Sequence, residues 1–419
     1  MLVGKTANAI FNLAYMAVTA RALGADVFGV LVLINTFAVA VGEVVQFQSW
    51  QIVLRYGSGP AAGEGRETLQ RVIRFAFLLD VAGGAVGAAF AIGVALLASR
   101  ALGWPPGSTA AAVPYLTGIL FMMQAMPTGV LRLFGRFDLL SVQSSVTALT
   151  RLAGAAVVWM CGGGLIAFMV AWYLGTVAAF LFLYAAAFRE MARRGVLGGF
   201  DWFGGSLTGG MPGVWSFAWT TNFKTTLELV FTQAGVLIVG ALLSPAAAGL
   251  FRVAWQIANA VTGLIRIVVD TLYPELARLW VKQDHAALRA IAIRVGLVCG
   301  GVSTMLLVLV STAGGPFLGL VMGPAFRQAA PVLTWLVAAA MIGAWTLPLE
   351  ALLVSTGRAG AALRIRLVAA LVYLSIIAPL LHGFGLQGAG FASVAASLPM
   401  AAGLIFAALG PRRQPAVFR

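Results

Sequence analysis

Six residues between positions 252 and 270 have the types and spacing to bind an anion within a membrane: Arg252, Gln256, Asn259, Gly263, Arg266 and Asp270. Their spacings of 4, 3, 4, 3 and 4 place all six on one helical face. The apolar stretch before them repeats the pattern with Thr221, Lys224, Thr225, Glu228 and Thr232. Lys5, Asn8, Asn12, Tyr15 and Thr19 form a third such face, and Thr36, Glu43 and Gln46 a fourth. Each of these groups costs free energy at membrane depth unless it meets a cavity or a partner. The planar donor fork of arginine suits phosphate, whereas Asn, Gln and Thr suit hydroxyls. An anionic, hydroxyl-rich ligand is therefore the implied chemistry. Lys224, Arg252, Gln256, Asn259, Arg266 and Asn12 are its candidate contacts, with Arg151 in TALTRLAGAA and Arg55 in QIVLRYGS. Glu43, Asp80, Glu228 and Asp270 are candidates for coupling to H⁺ or Na⁺, or for counter-ions to Arg and Lys. Lys224–Glu228 and Arg266–Asp270 stand four residues apart and could neutralise one another, which leaves simple interhelical packing as an alternative.

The elements that carry these faces must be membrane helices. Of the 419 residues 61% are hydrophobic and 10% charged, with a mean hydropathy of +0.97. Soluble domains carry roughly 25% charged residues. Apolar runs long enough to span a bilayer recur throughout. Twelve spans are expected, near 6–24, 27–50, 72–99, 112–134, 139–161, 164–188, 213–243, 246–274, 288–312, 328–351, 360–381 and 385–409. The first is expected to be a retained span, because no signal-peptide cleavage box follows it. The longest polar interruption, 188–213, mixes basic, aromatic and glycine residues and predicts a short surface helix followed by a linker. The chain is thus divided into an N-terminal lobe (1–188), a cytoplasmic amphipathic linker (189–212) and a C-terminal lobe with a basic tail (213–419).

Lys and Arg gather on alternate loops, so the positive-inside rule places both termini in the cytoplasm and accounts for most of the net charge of +14. No basic soluble module is present to bind nucleic acid. Cys161 and Cys299 are far apart in apolar segments, and His285 and His382 lack neighbours at ligand spacing, so no metal or cofactor is expected. No loop carries a set of catalytic carboxylates or a metal motif, which argues against a glycan polymerase or glycosyltransferase and for a chain that is not an enzyme.

The halves read as repeats. Leu23-Gly24…Gly29 matches Leu243-Ser244…Gly249 at an offset of 220. FGRFDLLSVQSSVTAL (134–149) matches TGRAGAALRIRLVAAL (356–371), and GGGLIAFMVA (162–171) matches GFGLQGAGFA (383–392). Six spans per half make the repeat parallel, which puts the expected cavity between the halves, lined by spans 1, 2, 7 and 8.

TARALGADVFGVLVL (19–33) resembles the A-R-x-L-G-x-x-x-F-G opening of the polysaccharide transporter family. AAGLFRVAWQIANAVTGLIRIVVDTLYPELARL (247–279) is similar to that family's eighth span and the loop after it. The family comprises Wzx-like flippases of lipid-linked oligosaccharides, in the superfamily that also holds MATE multidrug exporters and the lipid II flippase. The resemblance implies an all-α polytopic MATE-like flippase fold of two six-helix lobes around a cationic cavity. It implies alternating-access transfer of an undecaprenyl-diphosphate-linked glycan across a bacterial inner membrane, for surface or exopolysaccharide synthesis. Membrane lipids and other glycan-assembly proteins would be the further partners. Lipid II flippases carry an Arg about where Gln256 stands, so Arg252 and Arg266 become the phosphate candidates here. A cation-coupled multidrug exporter is the alternative, although it would favour an acidic cavity.

Overall fold

The computed structural model describes residues 2–61, 65–202, 204, 206–260, 263, 285–355 and 358–409. Every regular element among them is helical. Eight helical stretches among the described residues are long and apolar enough to cross a bilayer. Helices suit that setting because they satisfy every backbone polar group internally. Contacts group the chain into two compact units, residues 1–241 and 242–419.

The first unit opens with α1 (Leu2–Val45), which spans the first two expected segments. Its helix is interrupted at Gly24 alone, where φ is 71° and ψ 172°. Only glycine enters that region without steric cost. Gly29 is buried within the resumed helix. α1 ends at Val45, and α2 (Ser49–Ala61) follows after three non-helical residues, so the second expected span is broken near its end. α3 is Arg66–Ala98. The fourth expected span is divided into α4 (Thr109–Leu116), α5 (Ile119–Met122) and α6 (Ala125–Leu133). α7 (Phe137–Met160) and α8 (Leu165–Arg193) pair closely. α9 (Val214–Leu229), a π-helical turn (Val230–Ala234) and α10 (Gly235–Leu242) make up the seventh expected span. α9 packs on α1 and α2, which explains why residues 214–241 group with the first unit.

Small residues set how near these helices come, as membrane packing requires. A β-carbon at Gly83 would lie 2.6 Å from the Val45 carbonyl oxygen, and one at Gly129 would lie 2.8 Å from Trp50 Cα.

No separate surface helix follows α8; among the described residues, 194–213 hold only turns and bends. The segment is nonetheless fixed, as a strap gripped by α3. Gln70 Nε2 donates to the Val196 and Gly198 carbonyls at 2.6 and 3.1 Å. Arg74, 2% exposed, donates to the carbonyls of Asp201 (3.1 Å), Gly204 and Ser206 (3.3 Å). Arg66 also reaches the Gly198 carbonyl, and the Tyr56 hydroxyl donates to Pro212 O at 2.9 Å. Trp202 packs among Phe77, Phe188 and Phe200. Hydrogen bonds from a charged donor contribute about 1.5–3 kcal/mol each when removed. Arg74→Ala is accordingly expected to free the strap. Chymotrypsin cleavage after Phe200 or Trp202, read as two half-length fragments, should accelerate by about tenfold or more. A cleavage rate equal to that of the unaltered chain would show that Arg74 does not hold the strap.

The second unit contains α11 (245–260), α12 (His285–Met322), a 3₁₀ turn (Pro324–Ala329), α13 (Ala330–Ser355), α14 (Ala359–Phe384) and α15 (Leu386–Leu409). It repeats the first at a nearly constant offset. α4 begins at Thr109 and α13 at Ala330, α7 at Phe137 and α14 at Ala359, and α8 at Leu165 and α15 at Leu386. The turn before α7 closes with Arg136 N–H donating to Leu131 O at 2.8 Å. Its counterpart before α14 closes with Arg358 N–H donating to Leu353 O, also at 2.8 Å. At the break matching Gly24, Ser244 Oγ accepts from Ala247 N–H at 3.1 Å and caps α11. The fold is therefore the expected all-α membrane architecture, with the described helices of the second half repeating those of the first. Among the described residues α13 departs from the repeat, running unbroken where the first unit has α4, α5 and α6.

Candidate functional site

Two of the helix breaks of the first unit, at 46–48 and 123–124, border a cavity of about 560 Å³. Glu43, Gln46, Gln48 and Trp50 line it from the end of α1 and the start of α2. Gln124, Ala125 and Thr128 contribute from the second break, Gln143, Thr147 and Arg151 from α7, and Thr176 from α8. Glutamines reach the cavity because both chains leave the helix there, turning amides outward and leaving carbonyls to be satisfied. Gln46 Nε2 bridges the breaks by donating to Met122 O at 3.1 Å. Gln124 donates to Phe121 O at 2.8 Å and accepts from Gln143 Nε2 at 3.1 Å. Trp50 Nε1 donates to Gln48 Oε1 at 2.7 Å, while the Arg132 guanidinium lies 4.1 Å from the Trp50 ring centroid.

Arg151 is the cation of this pocket. Its Nη1 donates to the Tyr15 hydroxyl at 3.3 Å and its Nη2 to Thr176 Oγ1 at 3.2 Å. The guanidinium also lies 5.3 Å from the Trp172 ring centroid and 5.7 Å from that of Tyr15. Its Nε has no hydrogen-bond partner. Among the described residues no carboxylate pairs with Arg151. The arrangement leaves a cation in an apolar setting with neutral partners only, beside amides and hydroxyls that can bind oxygen-rich groups.

Of the residues singled out in the sequence, Arg151 and Glu43 line the same pocket. Asp80 lies outside its lining and is held by two donors, Ser49 Oγ at 2.7 Å and Met126 N–H at 2.8 Å. No Lys or Arg among the described residues pairs with it. Asn12 donates to Asn8 on its own helix. Arg55 is exposed on α2, with its guanidinium 4.5 Å from the Phe217 ring centroid. Arg252, Gln256 and Asn259 share a face of α11 in the second unit, where Arg252 lies 5.0 Å from the Trp255 ring centroid. Lys224 and Glu228 belong to α9, but their side chains lie outside the described residues, as do Arg266 and Asp270 entirely. Sequence reasoning missed Gln48, Gln124, Thr128, Gln143 and Thr176. Gln46 belongs to the Thr36–Glu43–Gln46 face, but Gln48, two residues on, does not share it, and only the breaks bring Gln48 and Gln124 to the same pocket.

No family model matches the chain. Among solved structures, an inward-facing MATE-family multidrug resistance transporter superposes with a TM-score of 0.78 at 11% identity, covering 95% of this chain and 93% of that one. The lipid II flippase MurJ, in an inward closed conformation, gives 0.77 at 12% identity, covering 97% and 86%. A transporter of the same superfamily from Pyrococcus furiosus gives 0.65 at 11% identity, covering 97% and 92%. These likenesses show the fold. In sequence, the chain is 30% identical over 322 residues to the inner membrane protein YghQ of Escherichia coli strain K12, covering 77% of this chain and 90% of the relative. With its apolar helices, its fold and this relative together, the chain is a multi-pass inner membrane protein that belongs to the YghQ family.

Proposed function

We propose that the chain is a flippase for a polyprenyl-diphosphate-linked oligosaccharide, with the polar headgroup entering the first-unit pocket while the polyprenyl tail stays in lipid. The observation that carries this reading is Arg151, a membrane-embedded guanidinium without a carboxylate partner among the described residues, facing a pocket walled by glutamines and threonines. Arg supplies donors to phosphate, and the amides and hydroxyls supply partners to sugar hydroxyls. The MATE and MurJ likenesses support a transporter, which moves its ligand without bond chemistry. On this reading access alternates between the two sides of the membrane, both termini face the cytoplasm, and Arg252 and Arg266 are further phosphate candidates. A H⁺ or Na⁺ gradient would drive the cycle through Glu43 or another of the intramembrane acids. Glycan-assembly enzymes would supply and consume the ligand.

Glu43 on the pocket wall favours a second reading, a cation-coupled exporter of cationic compounds. Proteoliposomes separate the two. With a fluorescent undecaprenyl-diphosphate oligosaccharide, the protein should speed transfer between leaflets by about tenfold or more over protein-free vesicles. No acceleration of this lipid, together with gradient-driven efflux of ethidium, would replace the flippase by the exporter.

A further inference from the structure

The second unit serves as an internal control for the first. The break at Met123–Gln124 is not needed to build the repeat, because α13 passes the matching positions Ala344–Thr346 without interruption. Positions 300–302, which match residue 80 at the offsets of 220 to 222, are Gly300, Gly301 and Val302. There the Trp345 ring lies against Gly300, and Cys299 and Ala344 are buried with Val295 and Leu347. Apolar packing thus occupies the place where the first unit has a carboxylate and a broken helix.

That carboxylate, Asp80, is 1% exposed and has both oxygens engaged. Oδ1 accepts from the hydroxyl of Ser49, the first residue of α2, and Oδ2 from Met126 N–H in the first turn of α6. Two helix N-termini, each with N–H groups left over by the helix and a positive dipole end, therefore share one buried carboxyl group. The residues just ahead of these two starts, Gln48 and Gln124, are walls of the pocket. The carbonyls freed at the second break are taken by Gln46 at Met122 and by the Tyr184 hydroxyl at Met123, 3.2 Å away.

We propose that Asp80 is a positioning residue. It pins the starts of α2 and α6 and so holds the pocket open in the first unit, whereas Cys299, Ala344 and Trp345 pack the matching described residues of the second unit. The role rests on reading the pocket as a ligand site, and the test distinguishes the two. In the full chain, with Cys161 and Cys299 replaced by alanine, Gln124→Cys reports pocket access through its rate of labelling by a hydrophilic methanethiosulfonate. Asp80→Leu, which removes both acceptors, should slow labelling about tenfold. Asp80→Asn should restore it to within about threefold, because its oxygen can accept from Met126 and its amide can donate to Ser49. Ala344→Cys, at the matching place in the second unit, should stay unlabelled. Transfer of the fluorescent lipid should fall in step with labelling across these variants. Unchanged labelling in Asp80→Leu overturns the positioning role. Loss of transfer in Asp80→Asn at full labelling overturns it in favour of a titrating carboxylate. Fast labelling of Ala344→Cys overturns the one-sidedness. Should Asp80→Leu fail to accumulate in the membrane, Ser49→Ala, which removes one of the two donors, decides by slowing labelling about threefold or leaving it unchanged. If added undecaprenyl diphosphate fails to protect Gln124→Cys while the Asp80 dependence persists, the ligand reading falls and the positioning role stands.

Discussion

Replacing Arg151 by alanine is expected to reduce transfer of the fluorescent polyprenyl-diphosphate lipid to the protein-free background. Two charge-assisted hydrogen bonds to a diphosphate would contribute about 3–6 kcal/mol together, or about two to four orders of magnitude in affinity. The fold should survive the change. The alanine variant abandons two neutral hydrogen-bond partners, the Tyr15 and Thr176 hydroxyls, at about 1 kcal/mol each, and the contacts with the Tyr15 and Trp172 rings. No described acid is left unpaired, and that is the situation that makes breaking a buried ion pair so damaging. Arg151→Lys sharpens the test, since it keeps the charge and loses the planar fork. About a tenfold weakening is expected for lysine, against near-total loss for alanine. Amounts in the membrane and thermal unfolding should stay close to those of the unaltered chain. Full transfer by the alanine variant would remove the pocket from the mechanism.

The largest loss of stability is expected at Gly103, in the turn after α3. Its φ is 73°, a region that costs an L-residue about 1–2 kcal/mol. A β-carbon there would also press into the carbonyl of Gly240 on α10. That backbone cannot retreat, because a β-carbon at Gly240 would itself enter the Leu33 side chain. Strain and overpacking act together, so Gly103→Ala should cost about 2–5 kcal/mol. Gly24→Ala is the matched comparison, for its φ is 71° but nothing lies within 4 Å of the added atom. With ψ at 172° it should carry the conformational cost of a nearly glycine-only region alone, about 1–3 kcal/mol. Unfolding in detergent, followed by helical circular dichroism, should rank the variants in that order; equal losses would show that the Gly103–Gly240 approach is not tight.

The spans were legible in the sequence because hydropathy is a local property that survives without knowing what a helix packs against. The repeat was legible for a related reason: one of its best-preserved phrases begins at the turn 134–138, where backbone geometry restricts the residues allowed. Arg151 and Glu43 stood out because a charge in an apolar run needs an explanation. The pocket itself was not legible. Gln124 sits between Met123 and Ala125 in a stretch apolar enough to read as a continuous span, and its break depends on Asp80, 44 positions earlier. Helical phase arguments also assume an unbroken helix, so they assigned the ligand face to the stripes of spans 1, 2, 7 and 8. The pocket found is walled by residues of α1, α2, α6, α7 and α8, and Asp80 answers to two backbone ends rather than to a Lys or Arg.

The grip of α3 on the 196–206 strap also bears on how the chain is inserted during synthesis. Arg66, Gln70 and Arg74 meet carbonyls about 130 residues later, with the spans of α3 to α8 between them. The two partners can touch only if the intervening helices have crossed the bilayer an even number of times. Closing the strap is thus a parity check on topogenesis. A nascent chain that skipped one crossing would leave Arg74 with no carbonyls to bind and the aromatic face of the strap uncovered.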